Sequence, residues 1–161
     1  MNSFNIQDIK SEFLVEDYLG NFSRHATLFP AVAGALKSFQ NQRIKLGIIT
    51  NGREDLQSSV IHSCGLNEMM DIILISEAEG IKKPEPAIFR SALDRLSLKP
   101  SSCIFVGDNP EADIKGAYNA GMLTIWKEND WFDPPDTSVV SFIFNDFREL
   151  PEIINNIKHT A

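Results

Sequence analysis

Ile104-Phe105-Val106-Gly107-Asp108-Asn109-Pro110-Glu111-Ala112-Asp113 decides how this chain reads. An apolar run the length of one buried strand stops at a glycine and hands two carboxylates to the mouth of a helix. That helix, expected over Glu111 to Ala120, carries a face of Gly116, Ala117 and Ala120 and meets Gly121 in the C-cap role. A face of small residues lets a helix sit close to a sheet. Ligands in open parallel sheets bind beyond the carboxyl ends of the strands, so the residues just after each strand carry the functional question.

Working outward from this stretch, short β-rich apolar runs alternate with helical periodicity. Strands are expected at Ile44 to Ile49, Ile72 to Ile75, Cys103 to Val106, Met122 to Trp126 and Ser141 to Phe144. Between them Leu56, Val60 and Cys64 mark one helix over Glu54 to Cys64. Ile88, Phe89, Ala92, Leu93 and Leu96 mark a second over Glu85 to Leu96, entered through Pro84 and Pro86. A helix with Val32, Ala35, Leu36 and Phe39 leads into the first strand, and Phe147, Leu150, Ile154 and Ile157 close the chain on an amphipathic helix. Glu128 to Ser138, with Pro134-Pro135, reads as a surface loop. Repeated β-α units predict a three-layer α/β/α parallel sheet of Rossmann-like type.

Composition bounds the function. The chain has 161 residues, 43% hydrophobic and 23% charged, which suits one domain with a real core. Its formal charge of -7, with no basic block, argues against nonspecific nucleic-acid binding, which is driven by clustered Lys and Arg. Cys64 and Cys103 form no CxxC pair and no Cys/His cluster, so they read as reduced core cysteines rather than structural zinc ligands. Met1-Asn2-Ser3-Phe4 does not open a signal peptide, and no stretch approaches the ~18 apolar residues of a membrane span. A soluble, cytoplasmic protein is expected.

Three groups stand directly beyond strands. Thr50-Asn51-Gly52 offers a hydroxyl and backbone N–H groups at a helix N-terminus, suited to anionic oxygens, although the tripeptide could equally be a turn with a helix cap. Lys83, in Gly80-Ile81-Lys82-Lys83-Pro84, could aim a cation at the same edge or be solvated. Asp108 and Asp113 suit a partly hydrated Mg²⁺, although Asp108 could also serve only as an N-cap. Hydroxyl, cation and carboxylate pair in that order are more specific than any one of them.

In these segments the chain resembles the haloacid dehalogenase-like hydrolase superfamily. Ile48-Ile49-Thr50-Asn51-Gly52 resembles its second motif, Lys82-Lys83-Pro84-Glu85-Pro86-Ala87-Ile88-Phe89 its third, and Phe105 to Asp113 with Gly116-Ala117 its fourth. The resemblance runs from about Thr27 to the end. It implies that Thr50 binds phosphate through its hydroxyl and Asn51 through its backbone N–H. Lys83 would be the catalytic cation that neutralises the phosphoryl group, and Asp108 a Mg²⁺ ligand, with Asp113 acting directly or through water. Gly107-Asp108 followed by Asp113 resembles the metal-dependent phosphatases rather than the dehalogenases, whose fourth motif needs no metal. A small phosphorylated metabolite is the implied substrate.

The family's first motif, an apolar strand ending in Asp-x-Asp, has no counterpart here. Asp8, Asp71 and Asp146 are not followed by Asp two positions on, and Asp130-Trp131-Phe132-Asp133 has the wrong spacing. By the resemblance, that motif would precede Met1, residues 1–25 would be the remnant of a helical cap, and residues 26–161 an α/β core lacking its first strand. The expectation is a phosphomonoester phosphatase by ancestry that is inactive as this chain, with Mg²⁺ binding weak or absent. The alternatives are a non-catalytic phosphate- or Mg²⁺-binding remnant, a truncated gene product, or a haloacid dehalogenase. A Ser-His hydrolase is disfavoured, since His25, His62 and His159 lie beside no nucleophile elbow.

The absent strand would lie between Ile44 to Ile49 and Cys103 to Val106. Unpaired buried backbone groups cost ~1–3 kcal/mol each, against a total stability of ~5–15 kcal/mol. Direct pairing of the two strands, or an empty gap, is expected in preference to insertion of Phe4 to Ile9, whose Asn5, Gln7 and Asp8 would be desolvated. Exposed sheet edges would also offer a route to self-association.

Overall fold

The computed structural model describes residues 17, 18 and 20–160, with 159 and 160 by their backbone only. Helix α1 (Val32–Asn41) leads into β1 (Gly47–Thr50), followed by α2 (Glu54–Ser63), β2 (Ile72–Ile75) and the short α3 (Ser76–Glu79). Helix α4 (Pro86–Leu96) then precedes β3 (Ile104–Gly107). A wide π turn over Pro110–Lys115 runs into α5 (Gly116–Asn119), and β4 (Leu123–Lys127), β5 (Phe142–Phe144) and α6 (Leu150–Thr160) complete the chain.

Among the described residues all strand pairs are parallel, and they form two sheets. In one, β1 pairs with β2, with Gly47 opposite Ile72 and Thr50 opposite Ile75. In the other, β4 lies between β3 and β5, with Gly107 opposite Trp126 and Lys127 opposite Phe144. Helices cover both faces. On one side Ala35 and Phe39 of α1 and Leu150 and Ile154 of α6 pack with Ile125 and Phe144, joined by Ile44, Leu46, Ile104 and Val106. On the other, Ile88, Phe89 and Ala92 of α4 and Ala117 of α5 pack with Leu74, joined by Ile49 and Phe105. This is the three-layer α/β/α arrangement expected from the alternation of apolar runs.

Side-by-side pairing of the first and third strands is not what forms. Among the described residues no ladder joins β1 to β3, and a break separates the two sheets. The helix layers set this spacing. The cluster under α4 draws side chains from the two sheets at once, Ile49, Ile72 and Leu74 from one and Phe105 from the other, and Phe89 of α4 meets Phe105 of β3 edge-on at 5.1 Å between centroids. Strands reach ladder distance at ~4.8 Å, which would require helices about 10 Å wide to slide with them. The exposure pattern agrees: no residue of β1 or β3 is fully buried, whereas Leu74 and Ile75 of β2 and Thr124, Ile125 and Trp126 of β4 are. The alternative filler, Phe4 to Ile9, lies outside the described residues, as does most of the 1–25 segment.

Two local expectations are refined. The first strand begins at Gly47 rather than Ile44, because its entry is bonded elsewhere: Ile44 N–H donates to Phe39 O, and the Asp71 carboxylate accepts from Leu46 N–H at 2.8 Å. The helix after β3 does not run as one α-helix from Glu111, since Ile114 N–H reaches back five residues to Asn109 O at 3.2 Å. Gly121 does close α5, with φ at +85° and its N–H donating to Tyr118 O. Cys64 and Cys103 are free and half-buried, and burial pushes the Cys103 thiol up. No helix among the described residues is long and apolar enough to cross a membrane.

Candidate functional site

The carboxyl ends of β1, β2 and β3 bring Thr50, Ser76 and Asp108 to one edge of the fold, because parallel strands all point the same way. Lys83 reaches this edge from the segment before α4. Its backbone is pinned by Asn51, whose side-chain amide donates to Lys83 O at 2.9 Å and accepts from Lys83 N–H at 2.9 Å. The Lys83–Pro84 peptide bond is cis. Asn51 therefore fixes where the lysine begins, a role beyond the backbone N–H assigned to it by resemblance.

The other end of Lys83 is fixed by Asp113. Lys83 Nζ donates to Asp113 Oδ1 at 2.7 Å, with the two side chains only 12% and 7% exposed. The ammonium also lies 5.5 Å from the centre of the Phe105 ring, within cation–π range. Asp113 Oδ2 accepts from the backbone N–H groups of Asp108 at 3.1 Å and Asn109 at 3.0 Å. A buried carboxylate so paired has its desolvation offset by a charge and two dipoles.

Gly107 makes this possible. A Cβ at Gly107 would stand 2.4 Å from Asp113 Cβ and 2.6 Å from its carboxylate carbon, so only glycine lets Asp113 fold under the end of β3. The wide turn has the same origin. Asn109 caps it by accepting from Glu111 N–H at 3.1 Å and Ala112 N–H at 2.8 Å, leaving Asp113 to point back at Asp108. Such one-turn π insertions are frequent at functional sites. Gly116 serves packing, since a Cβ there would meet the Phe89 ring at 2.9 Å.

Asp108 differs from its neighbour. Its residue is exposed, yet partial burial of the carboxyl and the Asp113 carboxylate beside it raise its pKa above the usual range, against the weaker pull of its own backbone N–H and of Lys83. Its carbonyl is held by Trp126 Nε1 at 2.9 Å and Asn129 Nδ2 at 3.1 Å, which fixes the backbone from which the side chain projects. Among the described residues no group of three or more His, Cys, Asp or Glu side chains gathers as a metal site. Mg²⁺ needs fewer: one or two carboxylates, with water and phosphate oxygens completing the octahedron. An exposed hard-oxygen donor with a second carboxylate beside it fits such a cation.

Of the residues singled out in sequence, Asn51, Lys83, Asp113 and Asp108 form one connected chain of bonds. Thr50 stands apart, its hydroxyl donating to Gln57 Oε1 at 2.9 Å. Sequence reasoning missed Gln57, Ser76, Trp126 and Asn129. Ser76 follows β2 as Asn51 follows β1, and its Oγ accepts from Gly52 N–H at 3.0 Å. Asn129 follows β4, so the same beyond-the-strand rule would have found both.

The pattern of haloacid dehalogenase-like hydrolases matches residues 1–127. A phosphoserine phosphatase of Thermus thermophilus is 36% identical over 103 residues, which is 64% of this chain and 41% of that protein. A glyceraldehyde 3-phosphate phosphatase of Pyrococcus furiosus is 33% identical over 125 residues, 78% of this chain and 52% of that protein. The magnesium-bound HAD-hydrolase YfnB of Bacillus subtilis superposes with a TM-score of 0.80 at 25% identity, covering 92% of this chain and 66% of that one. The chain spans about half the length of the curated relatives it matches. On this match and the fold that accompanies it, the chain belongs to the haloacid dehalogenase-like hydrolase family.

Proposed function

We propose that these residues are the phosphate- and cation-binding half of a Mg²⁺-dependent phosphatase acting on a small phosphomonoester. The observation that carries the reading is the Lys83–Asp113–Asp108 linkage, in which one buried carboxylate fixes both a cation and the backbone of an open carboxylate. That is a preorganised electrostatic clamp, and each such element is typically worth ~10²–10³ in rate. The relatives named as phosphatases favour this branch over dehalogenation.

In this reading Thr50 and the Asn51 backbone N–H hold phosphoryl oxygens at the mouth of α2. Lys83 spends one of its three N–H donors on Asp113 and keeps the others for the anion. Asp108 would hold Mg²⁺ directly, with Asp113 behind it through water. When bound, that ion supplies charge neutralisation on the phosphoryl oxygens. Residues 1–25 are proposed as part of a helical cap and 26–161 as the α/β core, in a cytoplasmic protein.

The 161 residues contain no Asp-x-Asp, so by this reading they bind without turning over. The test is p-nitrophenyl phosphate hydrolysis with Mg²⁺ by the purified chain, run beside calorimetric Mg²⁺ titration of the chain and of Asp108→Ala. The expected result is background turnover, with any Mg²⁺ binding lost in Asp108→Ala. Turnover abolished by Asp108→Ala would overturn the inactivity, and Mg²⁺ binding unchanged by that substitution would overturn the site.

A further inference from the structure

The hydroxyl of Thr50 has a single proton, and in the structure Gln57 takes it: Thr50 Oγ1 donates to Gln57 Oε1 at 2.9 Å in a partly buried setting. A phosphomonoester above its second pKa of about 6 is a dianion that accepts and cannot donate, so a hydroxyl already donating to an amide oxygen has nothing to give it. The amide nitrogen of Gln57 has no hydrogen-bond partner among the described residues. It lies across the loop beyond β1, where a Cβ on Gly52 would meet Gln57 Nε2 at 3.0 Å and Gln57 Cγ at 3.1 Å. Gly52 thus leaves the room that Gln57 occupies. The last torsion of a glutamine has a broad, two-fold profile, so the amide can turn over in place.

We propose that Gln57 is a positioning residue that controls the hydroxyl proton of Thr50. With Oε1 toward Thr50, as in the structure, the proton is held by the amide. With phosphate present the amide turns over, Nε2 donates to Thr50 Oγ1, and the hydroxyl proton points to the anion. Glutamine suits this because it offers an acceptor and a donor at the same radius from one Cγ. Glutamate offers only acceptors and would keep the proton. The inference rests on the reading of Thr50 as an anion ligand and adds the residue that decides when Thr50 can act as one.

The experiment is an NMR titration of the full chain at pH 8 with phenyl phosphate, a monoester dianion, following the backbone amides of Thr50 and Asn51 and the side-chain NH₂ of Gln57. All three should move with one affinity. Gln57→Glu should weaken phosphate by on the order of tenfold, the scale of one hydrogen bond, while melting as the wild type does. Ser58→Glu, which adds the same charge on the adjacent exposed residue of α2, is the control for simple repulsion. Gln57→Met, which removes the competing acceptor together with the Nε2 donor and adds no charge, should weaken binding by a smaller factor and serves if the glutamate variant does not fold. Equal losses in Gln57→Glu and Ser58→Glu, or unchanged binding in Gln57→Met, would overturn the inference. So would a stationary Gln57 NH₂ while Thr50 and Asn51 move, and in that case the anion-site reading would survive. No movement at Thr50 and Asn51 would overturn both.

Discussion

Lys83 and Asp113 form an ion pair at 2.7 Å that ties the segment after β2 to the turn after β3, two elements belonging to different sheets. Both side chains are largely buried, so neither charge has water to fall back on. Removing one partner of such a pair costs more than its formation contributes, because the survivor stays buried and uncompensated.

Asp113→Asn should therefore destabilise the chain by about 3–5 kcal/mol, since it strips the charge facing Lys83. Urea unfolding at neutral pH measures this. The double variant Asp113→Asn with Lys83→Met should recover much of the loss, because it leaves no stranded charge and keeps an amide oxygen for the Asp108 and Asn109 N–H groups. A single variant within ~0.5 kcal/mol of wild type would mean that the pair contributes little.

Gly107→Ala should cost about 1–3 kcal/mol, the usual range for forcing atoms into a packed site. The introduced methyl would meet the Cβ and carboxylate of Asp113, which have no free end to swing away. The loss should come with a changed backbone amide signal at Asp108 and Asn109, the two donors to Asp113 Oδ2. Destabilisation without those shifts would place the strain elsewhere.

Asp108 gives a pH dependence of known sign. Its folded pKa is raised, first by burial and then by Asp113, so above the ordinary aspartate value of about 3.9 the folded chain holds more protons than the unfolded one. Stability attributable to this group therefore falls as pH rises from that value through the folded pKa. Asp108→Asn should flatten that fall and melt higher than wild type at neutral pH, by less than about 1 kcal/mol given how exposed the residue is. A lower melting point for Asp108→Asn, measured by calorimetry across pH 3 to 8, would reverse the assignment.

Much of this was readable from residues. The strand Ile72–Ile75 appears with the bounds its apolar run gives, and α4 starts at Pro86, where a proline without an N–H belongs. Asp108 directly follows β3 as expected, whereas Thr50 is the last residue of β1 and Lys83 comes only after α3. What sequence could not give was partnership. Asp113 reads as a possible metal ligand, and only the collision that a side chain at Gly107 would cause shows that it turns inward to Lys83. The gap between the sheets was equally out of reach, since apolar runs state that strands are buried without stating which neighbour each one takes. Gln57 was missed because amides follow no spacing rule.

The break between β1 and β3 also has a kinetic consequence. In an unbroken sheet the middle strands hold their amide protons longest, for both edges are sealed. Here β4 is the strand with a ladder on each side among the described residues, so its amides, Ile125 and Trp126 above all, should be the last to exchange with deuterium. Amides of β1 should exchange sooner through openings smaller than global unfolding, in which the two plates part like the covers of a book whose spine is α4.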